Sequence, residues 1–394
     1  MQRIRLITLG QWISLFFLGL IMRPLITSIY PAISVLSTHF HLSPIGVALF
    51  TSIPIFCMGI FAVLAKYISL FVQKEKIILI SASIIGLSFL ARAYLHQYSI
   101  ILLFTFLGGI GIGLGGTLIT ALIKEYFLNK PLSSMGLYTL GIGVGAVLGS
   151  VNTENWQMTQ AVWASVSLIF CVIWMYFFRL TNEHKEKNST VFHLKWPLKE
   201  KKALLITFLF GLQSFINYSL LTWVGPYYQS VGFQKQSFSV AHLPLVLLTI
   251  QLISSWAIPQ LLDCFEKSIV PLVVLSFLLM LSMGGLYYCP LSNVSVIMIG
   301  LGISTGAIFP LSMSMPMIFI EDTAQCNTWF LMMTSVGYVI SGFGPLLSAV
   351  IINISNSQKF SILFILICSL IMFLVTILLH VMYTVSVSFN KIRA

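Results

Sequence analysis

The stretch "ILLFTFLGGIGIGLGGTLITALI", residues 101–123, contains no charged residue and is long enough to cross a membrane. About 20 apolar residues in a helix span the ~30 Å hydrocarbon core of a bilayer. Similar runs recur along the whole chain, in which 58% of residues are hydrophobic and 8% are charged. An ordinary soluble domain carries roughly 25% charged residues. The chain is therefore predicted to be an all-α integral membrane protein.

Polar and turn-rich breaks divide the chain into twelve predicted transmembrane helices. They cover approximately 7–34, 43–65, 76–95, 98–122, 133–151, 158–179, 203–226, 237–260, 269–289, 293–318, 327–352 and 360–385. Because twelve is even, both termini lie on one side of the membrane.

The basic residues indicate which side that is. The formal net charge is +11, yet the basic residues are scattered between apolar runs, which argues against a nucleic-acid-binding face. All but four of the 21 lie in segments that are cytoplasmic if both termini are inside, which is the bias typical of membrane proteins. Of the four, Arg92, Lys235 and Lys359 are assigned to the outer side and Arg23 to the middle of the first span. We expect a multi-pass protein of a bacterial cytoplasmic (inner) membrane, with cytoplasmic termini.

The longest polar segment, "TNEHKEKNSTVFHLKWPLKEKK" at 181–202, separates two predicted six-helix bundles, 1–180 and 203–394, as a cytoplasmic linker. The halves echo each other, because "GIGIGLGG" at 109–116 resembles "GLGISTGA" at 300–307. This match aligns Gly109, Gly111 and Gly115 with Gly300, Gly302 and Gly306. Paired halves with a site at their interface near the bilayer midplane are typical of secondary transporters.

Enzyme and cofactor motifs are not supported by the sequence. Gly111, Gly113 and Gly116 spell G-x-G-x-x-G, but a dinucleotide fingerprint needs a preceding strand, and here the glycines lie inside an apolar span. All ten acidic residues fall in loops or at the ends of spans, and the six cysteines form no C-x-x-C pair. We expect no enzymatic activity, no cofactor and no metal site.

The glycines instead indicate close helix packing. In the fifth span Gly141, Gly145 and Gly149 follow one another at i, i+4 and i+8, so they share one helix face. Small residues at such positions let transmembrane helices approach closely. We therefore predict that this face contacts a neighbouring helix.

Arg23 is the candidate for substrate binding in the first half. An arginine in the middle of a span costs ~2.5–3.5 kcal/mol on insertion scales, so it should face a watery cavity or a partner. Thr27 and Tyr30 follow at i+4 and i+7 and extend a polar stripe. The alternative is that Arg23 caps carbonyl groups freed by Pro24 and Pro31, since proline releases backbone acceptors in membrane helices.

The second half offers further polar positions that are predicted to line a central cavity. Gln213 and Asn217 lie at i, i+4 in the seventh span, with Tyr218 and Trp223 nearby, and Tyr338 lies in the eleventh span. Together with Arg23, Thr27 and Tyr30 they form the predicted substrate site.

Several stretches resemble the major facilitator superfamily and, within it, the cyanate permease and nitroimidazole transporter-like family. They are "RPLITSIYPAI" at 23–33, "FTSIPIFCMGIFAVLA" at 50–65, "MGLYTLGIGVGA" at 135–146, "FGLQSFINYSLLTWVGPYY" at 210–228 and "SVGYVISGFGPLL" at 335–347. The resemblance implies the major facilitator fold, with two six-helix bundles around a central cavity, and alternating access for small anions or nitrogen compounds. The chain departs from the superfamily pattern between spans two and three, where "AKYISLFVQKEK" at 65–76 lacks the usual Gly-x-x-x-Asp-Arg.

The resulting hypothesis is a monomeric secondary transporter of a small anionic or polar solute, with protons as a candidate co-substrate. One alternative is a multidrug efflux pump driven by protons, which the 13% aromatic content favours, although the fifth span lacks the glycine-proline signature of such antiporters. A second alternative is a non-transporting membrane receptor built on a transporter fold.

Overall fold

The computed structural model describes residues 2–127, 130–151, 155–178, 196–233, 239–261, 268–291, 293–320 and 322–393. All regular elements of the described residues are helical. The helices are α1 Gln2–Met22, α2 Pro24–Thr27, α3 Ile33–His39, α4 Pro44–Ile68, α5 Lys74–Tyr94, α6 Tyr98–Tyr126, α7 Pro131–Gly149, α8 Trp156–Phe177, α9 Lys201–Ser230, α10 Leu243–Leu261, α11 Val270–Tyr288, α12 Val294–Phe319, α13 Thr323–Ser355 and α14 Gln358–Arg393. Short 3₁₀ helices cover Tyr30–Ala32 and Val240–His242.

The helices confirm the predicted class of multi-pass membrane protein. Among the described residues, 11 helical segments are long and apolar enough to cross a bilayer, and the first of them, Leu9–His39, includes α1, α2 and α3. One shorter apolar helix, Ser133–Gly149, corresponds to the predicted fifth span. Together they match the twelve predicted spans in order. Helices suit this environment because they satisfy their backbone hydrogen bonds internally.

The chain forms two compact units. One contains Met1–His41 with Leu49–His193, and the other contains Leu42–Ala48 with Leu194–Ala394. Most of the predicted linker, residues 181–195, lies outside the described residues. The boundaries 1–180, 181–202 and 203–394 therefore stay a prediction.

In the first unit α1 and α7 approach each other backbone to backbone. A Cβ atom added to Gly141 would overlap the carbonyl oxygen of Phe16, and one added to Gly145 would overlap that of Leu20. A Cβ at Gly149 would come within 2.9 Å of Pro24 Cα. The predicted glycine face is thus confirmed as a packing surface.

The end of the first unit near the loop between α4 and α5 is tied by an ion pair. Lys74 Nζ at the start of α5 lies 2.5 Å from Glu125 Oε2 near the end of α6. The Trp174 indole donates a hydrogen bond to the Glu75 carbonyl oxygen at 3.0 Å, which adds α8 to the same end. These contacts connect three helices next to the loop that lacks the superfamily pattern.

The glycine repeat has a different register from the one that the sequence comparison predicted. Cβ atoms at Gly109 and Gly113 would meet α4, at Cys57 and, for Gly113, also at Phe61. In the second unit the equivalent contacts to α10 come from Gly302, at Ile250, and from Gly306, at Gln251 and Ser254. The predicted pairing of Gly109 with Gly300 is wrong by two residues. Glycines repeat every second position in α6, so the letters alone fit more than one alignment.

Candidate functional site

The first span is broken at Arg23. Pro24 has no N–H group, so the Leu20 carbonyl loses its i+4 donor, and α1 ends at Met22. Pro31 removes a second donor, and the chain passes through α2 and a 3₁₀ turn before α3 begins at Ile33. Irregular backbone at this depth is tolerated where protein buries it or where it lines a cavity.

Arg23 lies at the junction between α1 and α2 and its residue is half-buried. Its carbonyl oxygen accepts hydrogen bonds from Ile26 N at 3.0 Å and Thr27 N at 3.1 Å, which turn the chain into α2. Its side-chain charge interacts with the buried Tyr138 of α7. The break therefore presents a cation within an apolar bundle.

Thr27 and Tyr30 both lie in the broken segment of the first span, defined as residues 23–32 between α1 and α3, and each is 3% exposed. Thr27 Oγ1 donates to the Arg23 carbonyl at 3.4 Å, so the hydroxyl supports the turn that carries Arg23. Next to it, Ser28 Oγ accepts a hydrogen bond of 3.0 Å from Gln160 Nε2 of α8. Gln160 was not among the residues that the sequence predicted, because a single glutamine in an apolar span gives no pattern.

A second arginine also holds the broken segment. Arg92 of α5 is fully buried and donates from Nη1 to the Leu25 carbonyl oxygen at 2.6 Å. The charge count assigned Arg92 to the outer side of the membrane, and this assignment stays a prediction; the structure adds that the side chain turns into the protein. Its position near the end of a span is also typical of an arginine that extends to the lipid headgroups, so the sequence alone does not distinguish a buried arginine from an interfacial one.

In the second unit Gln213 and Asn217 belong to one polar cluster on α9, α10 and α12. Gln251 Nε2 donates to Asn217 Oδ1 and to Thr305 Oγ1, both at 2.9 Å. Gln213 Nε2 points to the Thr305 carbonyl oxygen at 3.4 Å, and Ser214 Oγ donates to Gln213 Oε1 at 3.0 Å. Gln251 and Thr305 were missed because each is isolated in its own span.

This amide cluster, defined as Gln213, Asn217, Gln251 and Thr305, has spare hydrogen-bonding capacity at its accessible members. Asn217 and Gln251 are half-buried, whereas Gln213 is 1% exposed. Within the described part of the chain, Asn217 Nδ2 and Gln251 Oε1 take part in none of the hydrogen bonds that fix the cluster. The cluster therefore offers an amide donor and an amide acceptor without a formal charge.

The three aromatic residues of the predicted site differ in their surroundings. Trp223 is 2% exposed and its indole N–H donates to the Pro345 carbonyl oxygen of α13 at 3.1 Å. Tyr218 is also buried, at 3% exposure. Tyr338 is half-buried and meets the Phe210 ring edge to face, with centroids 5.3 Å apart. The indole nitrogen, the only polar side-chain atom of Trp223, is thus engaged in a hydrogen bond within the second unit.

Comparison with known proteins agrees with this architecture. Cyanate transport protein CynX of Escherichia coli K12 is 26% identical over 353 residues, covering 87% of this chain and 90% of the relative. The 2-nitroimidazole transporter of the same strain is 22% identical over 362 residues, covering 89% of this chain and 90% of the relative. Among solved structures, the nucleoside transporter NupG has a TM-score of 0.72 at 14% identity, covering 94% of this chain and 98% of NupG. The D-xylose-proton symporter has a TM-score of 0.71 at 14% identity, covering 94% and 96%.

The structural likenesses are too distant in sequence to show more than the fold. The family follows from the sequence profile of the Major Facilitator Superfamily, which matches residues 15–342 and therefore most of the chain. This protein belongs to the Major Facilitator Superfamily.

Proposed function

We propose that this protein is a secondary transporter of a small anion, or of a small polar nitrogen compound, in a bacterial inner membrane. The observation that carries the proposal is Arg23, a half-buried cation at the proline break of the first span. A charge at this position is expensive in a membrane, so intramembrane arginines mark substrate pathways more often than they serve packing.

The guanidinium group suits a planar or linear anion. It presents five N–H donors in a rigid fork and can grip an anion at two points, which a lysine ammonium cannot reproduce. A cyanate transporter among the relatives supports this class of solute, and the 2-nitroimidazole transporter supports compact nitrogen compounds. In the proposal Arg23 supplies the positive charge.

The amide cluster of the second unit supplies neutral hydrogen bonds. Asn217 Nδ2 is a donor for an anionic oxygen or nitrogen, and Gln251 Oε1 is an acceptor for a ring N–H. Trp223 is assigned to packing, because its indole N–H is used by Pro345. Tyr218 and Tyr338 remain candidates for apolar contact with the solute.

The membrane potential constrains how such a transporter works. Moving a monovalent anion into a cell with a negative interior costs about 2.3 kcal/mol per 100 mV. Concentrative uptake therefore needs a co-substrate, and a proton travelling with the anion as its conjugate acid removes the electrical cost. Export needs no such coupling. We place both termini in the cytoplasm and treat the monomer as the working unit.

Substitution of Arg23 tests the proposal directly. Arg23→Lys keeps the charge and loses the fork, whereas Arg23→Gln removes the charge. We expect both to fold, and both to lose most of the thermal stabilisation by cyanate and most of the cyanate flux in proteoliposomes, because each loses the two-point grip. Gln251→Leu should reduce the stabilisation by cyanate and the cyanate flux less than either Arg23 variant does, since it removes a neutral contact.

The opposite pattern would make Arg23 structural. If Arg23→Gln aggregated while Arg23→Lys transported cyanate normally, the anion hypothesis would lose its support. The two alternative functions have their own signatures in the same vesicles. Proton-linked flux of a lipophilic cation would indicate efflux, and saturable binding without flux of any solute would indicate a receptor.

A further inference from the structure

Arg92 is a fully buried arginine near the end of a transmembrane helix. It lies two residues before the last residue of α5, Tyr94, and is 0% exposed. A long basic side chain near a helix end ordinarily extends towards the lipid headgroups, which avoids the cost of burying its charge. Here the side chain turns into the first unit instead.

The hydrogen bonds of Arg92 are specific. Nε and Nη2 both donate to Thr105 Oγ1 of α6, at 3.1 and 2.9 Å, and Nη1 donates to the Leu25 carbonyl oxygen. Thr105 gives its own proton to the Ile101 carbonyl oxygen at 2.8 Å, which leaves both of its lone pairs for Arg92. The fork of the guanidinium is thus fixed in one orientation by a neutral partner.

The Leu25 carbonyl needs a donor from outside its own helix. In a regular helix it would accept from Ile29 N, but Ile29 N bonds to the Ile26 carbonyl at 3.2 Å. A buried carbonyl without a donor costs free energy comparable to a lost hydrogen bond. Arg92 therefore completes the backbone that the proline break leaves open, two residues after Arg23.

We propose that Arg92 is a positioning residue for the substrate: it fixes the broken segment, and through it sets where the Arg23 side chain lies. This inference rests on the proposed function of Arg23. Arg92 is too buried to contact a solute itself, and it joins α5 and α6 to the segment through one rigid group. The guanidinium is required because a lysine ammonium cannot hold Thr105 and Leu25 with the same planar fork.

Double-mutant analysis of cyanate transport tests this role. Arg92→Gln should raise the half-saturating cyanate concentration by about tenfold, because small displacements of a binding group weaken its contacts strongly. Maximal flux per folded protein should change much less. In an Arg23→Gln background, Arg92→Gln should have no further effect, since residues that act through one another are not additive. Independent, multiplicative effects of the two substitutions would overturn the proposal.

Two further variants separate positioning from general stability. Thr105→Val leaves the side-chain volume at position 105 and the charge of Arg92 nearly unchanged, but it removes the hydroxyl that accepts two of the Arg92 hydrogen bonds. It should therefore raise the half-saturating cyanate concentration even if Arg92→Gln does not fold. Ser88→Ala is the matched control one turn earlier on α5, because the Ser88 hydroxyl donates only to Ile84 of its own helix at 2.8 Å. An unchanged half-saturating concentration in Thr105→Val, or an equal shift in Ser88→Ala, would contradict the positioning role.

A labelling measurement keeps this test independent of the solute. In a protein without native cysteines, Arg23→Cys is treated with a cationic thiol reagent, with Arg92 and Thr105 either intact or substituted. Arg92→Gln and Thr105→Val should change the labelling rate several-fold, and Ser88→Ala should not. If wild-type protein neither binds nor moves cyanate, the proposed function fails while this rate still reports on Arg92. An unchanged labelling rate in both variants would refute the positioning role.

Discussion

The close contact between α1 and α7 gives a stability prediction that compares two glycines of one helix. A Cβ atom at Gly145 would lie well under 3.0 Å from the Leu20 carbonyl oxygen, closer than real Cβ atoms approach, and Leu20 is the residue whose helical donor Pro24 removes. A Cβ atom at Gly136, also on α7, would meet nothing within 4 Å. Gly145→Ala and Gly136→Ala therefore add the same methyl group to two different surroundings.

The expected magnitude follows from two opposing terms. Alanine in place of glycine favours a helix by ~1 kcal/mol at either position. Overpacking at Gly145 opposes this by about 1–3 kcal/mol, because the obstacle is backbone and cannot change rotamer. Contacts one turn away on both sides, at Gly141 and Gly149, also prevent a local tilt. Gly136→Ala should be neutral or stabilising, and Gly145→Ala should be less stable than it by about 1–3 kcal/mol.

Thermal unfolding in detergent measures this difference. An unfolding entropy of ~2 cal/mol/K per residue converts it to a gap of about 1–4 °C between the two variants for a chain of this length. Equal midpoints for Gly145→Ala and Gly136→Ala would refute the argument, because they would show that α1 and α7 can separate without loss of stability.

Two other predictions address packing and topology. Trp223→Phe should lower the free energy of unfolding by about 1 kcal/mol, since it removes the hydrogen bond to Pro345. It should leave the half-saturating solute concentration unchanged, and a raised half-saturating concentration would place Trp223 in the substrate site. A cysteine in place of Asn188 in a protein without native cysteines should be labelled only from the cytoplasmic side; labelling from outside would reverse the predicted orientation.

Composition and covalent geometry alone determine the class of this protein and several of its details. A chain with 58% hydrophobic and 8% charged residues, arranged in recurring apolar runs of about 20 residues, spans a bilayer as helices, because a helix satisfies the backbone hydrogen bonds that lipid cannot provide. The break at Arg23 follows from Pro24, which has no N–H group wherever it is placed. The glycine face of α7 follows from the helical period, which puts Gly141, Gly145 and Gly149 on one side.

Only the tertiary structure decides which polar residues meet. Two arginines interrupt apolar runs, and the sequence singled out Arg23 while assigning Arg92 to the outer side. The same limit applies to Gln251 and Thr305, which complete the amide cluster around Gln213 and Asn217 from two other helices. A lone polar residue in a span carries no information about its neighbours.

The physical reason lies in the solvent. In a soluble protein the polar face of a helix points to water, so its periodicity shows which side is buried. Lipid is as apolar as a protein core, and most spans here are therefore hydrophobic all round. Their periodicity does not show which side faces a neighbouring helix. The glycine repeat shows the same effect, because its letters fit two registers and only the contacts to α4 and α10 select one. The sequence thus determined the spans and the proline break, whereas the packing of helix against helix decided that Arg92 holds the segment that carries Arg23.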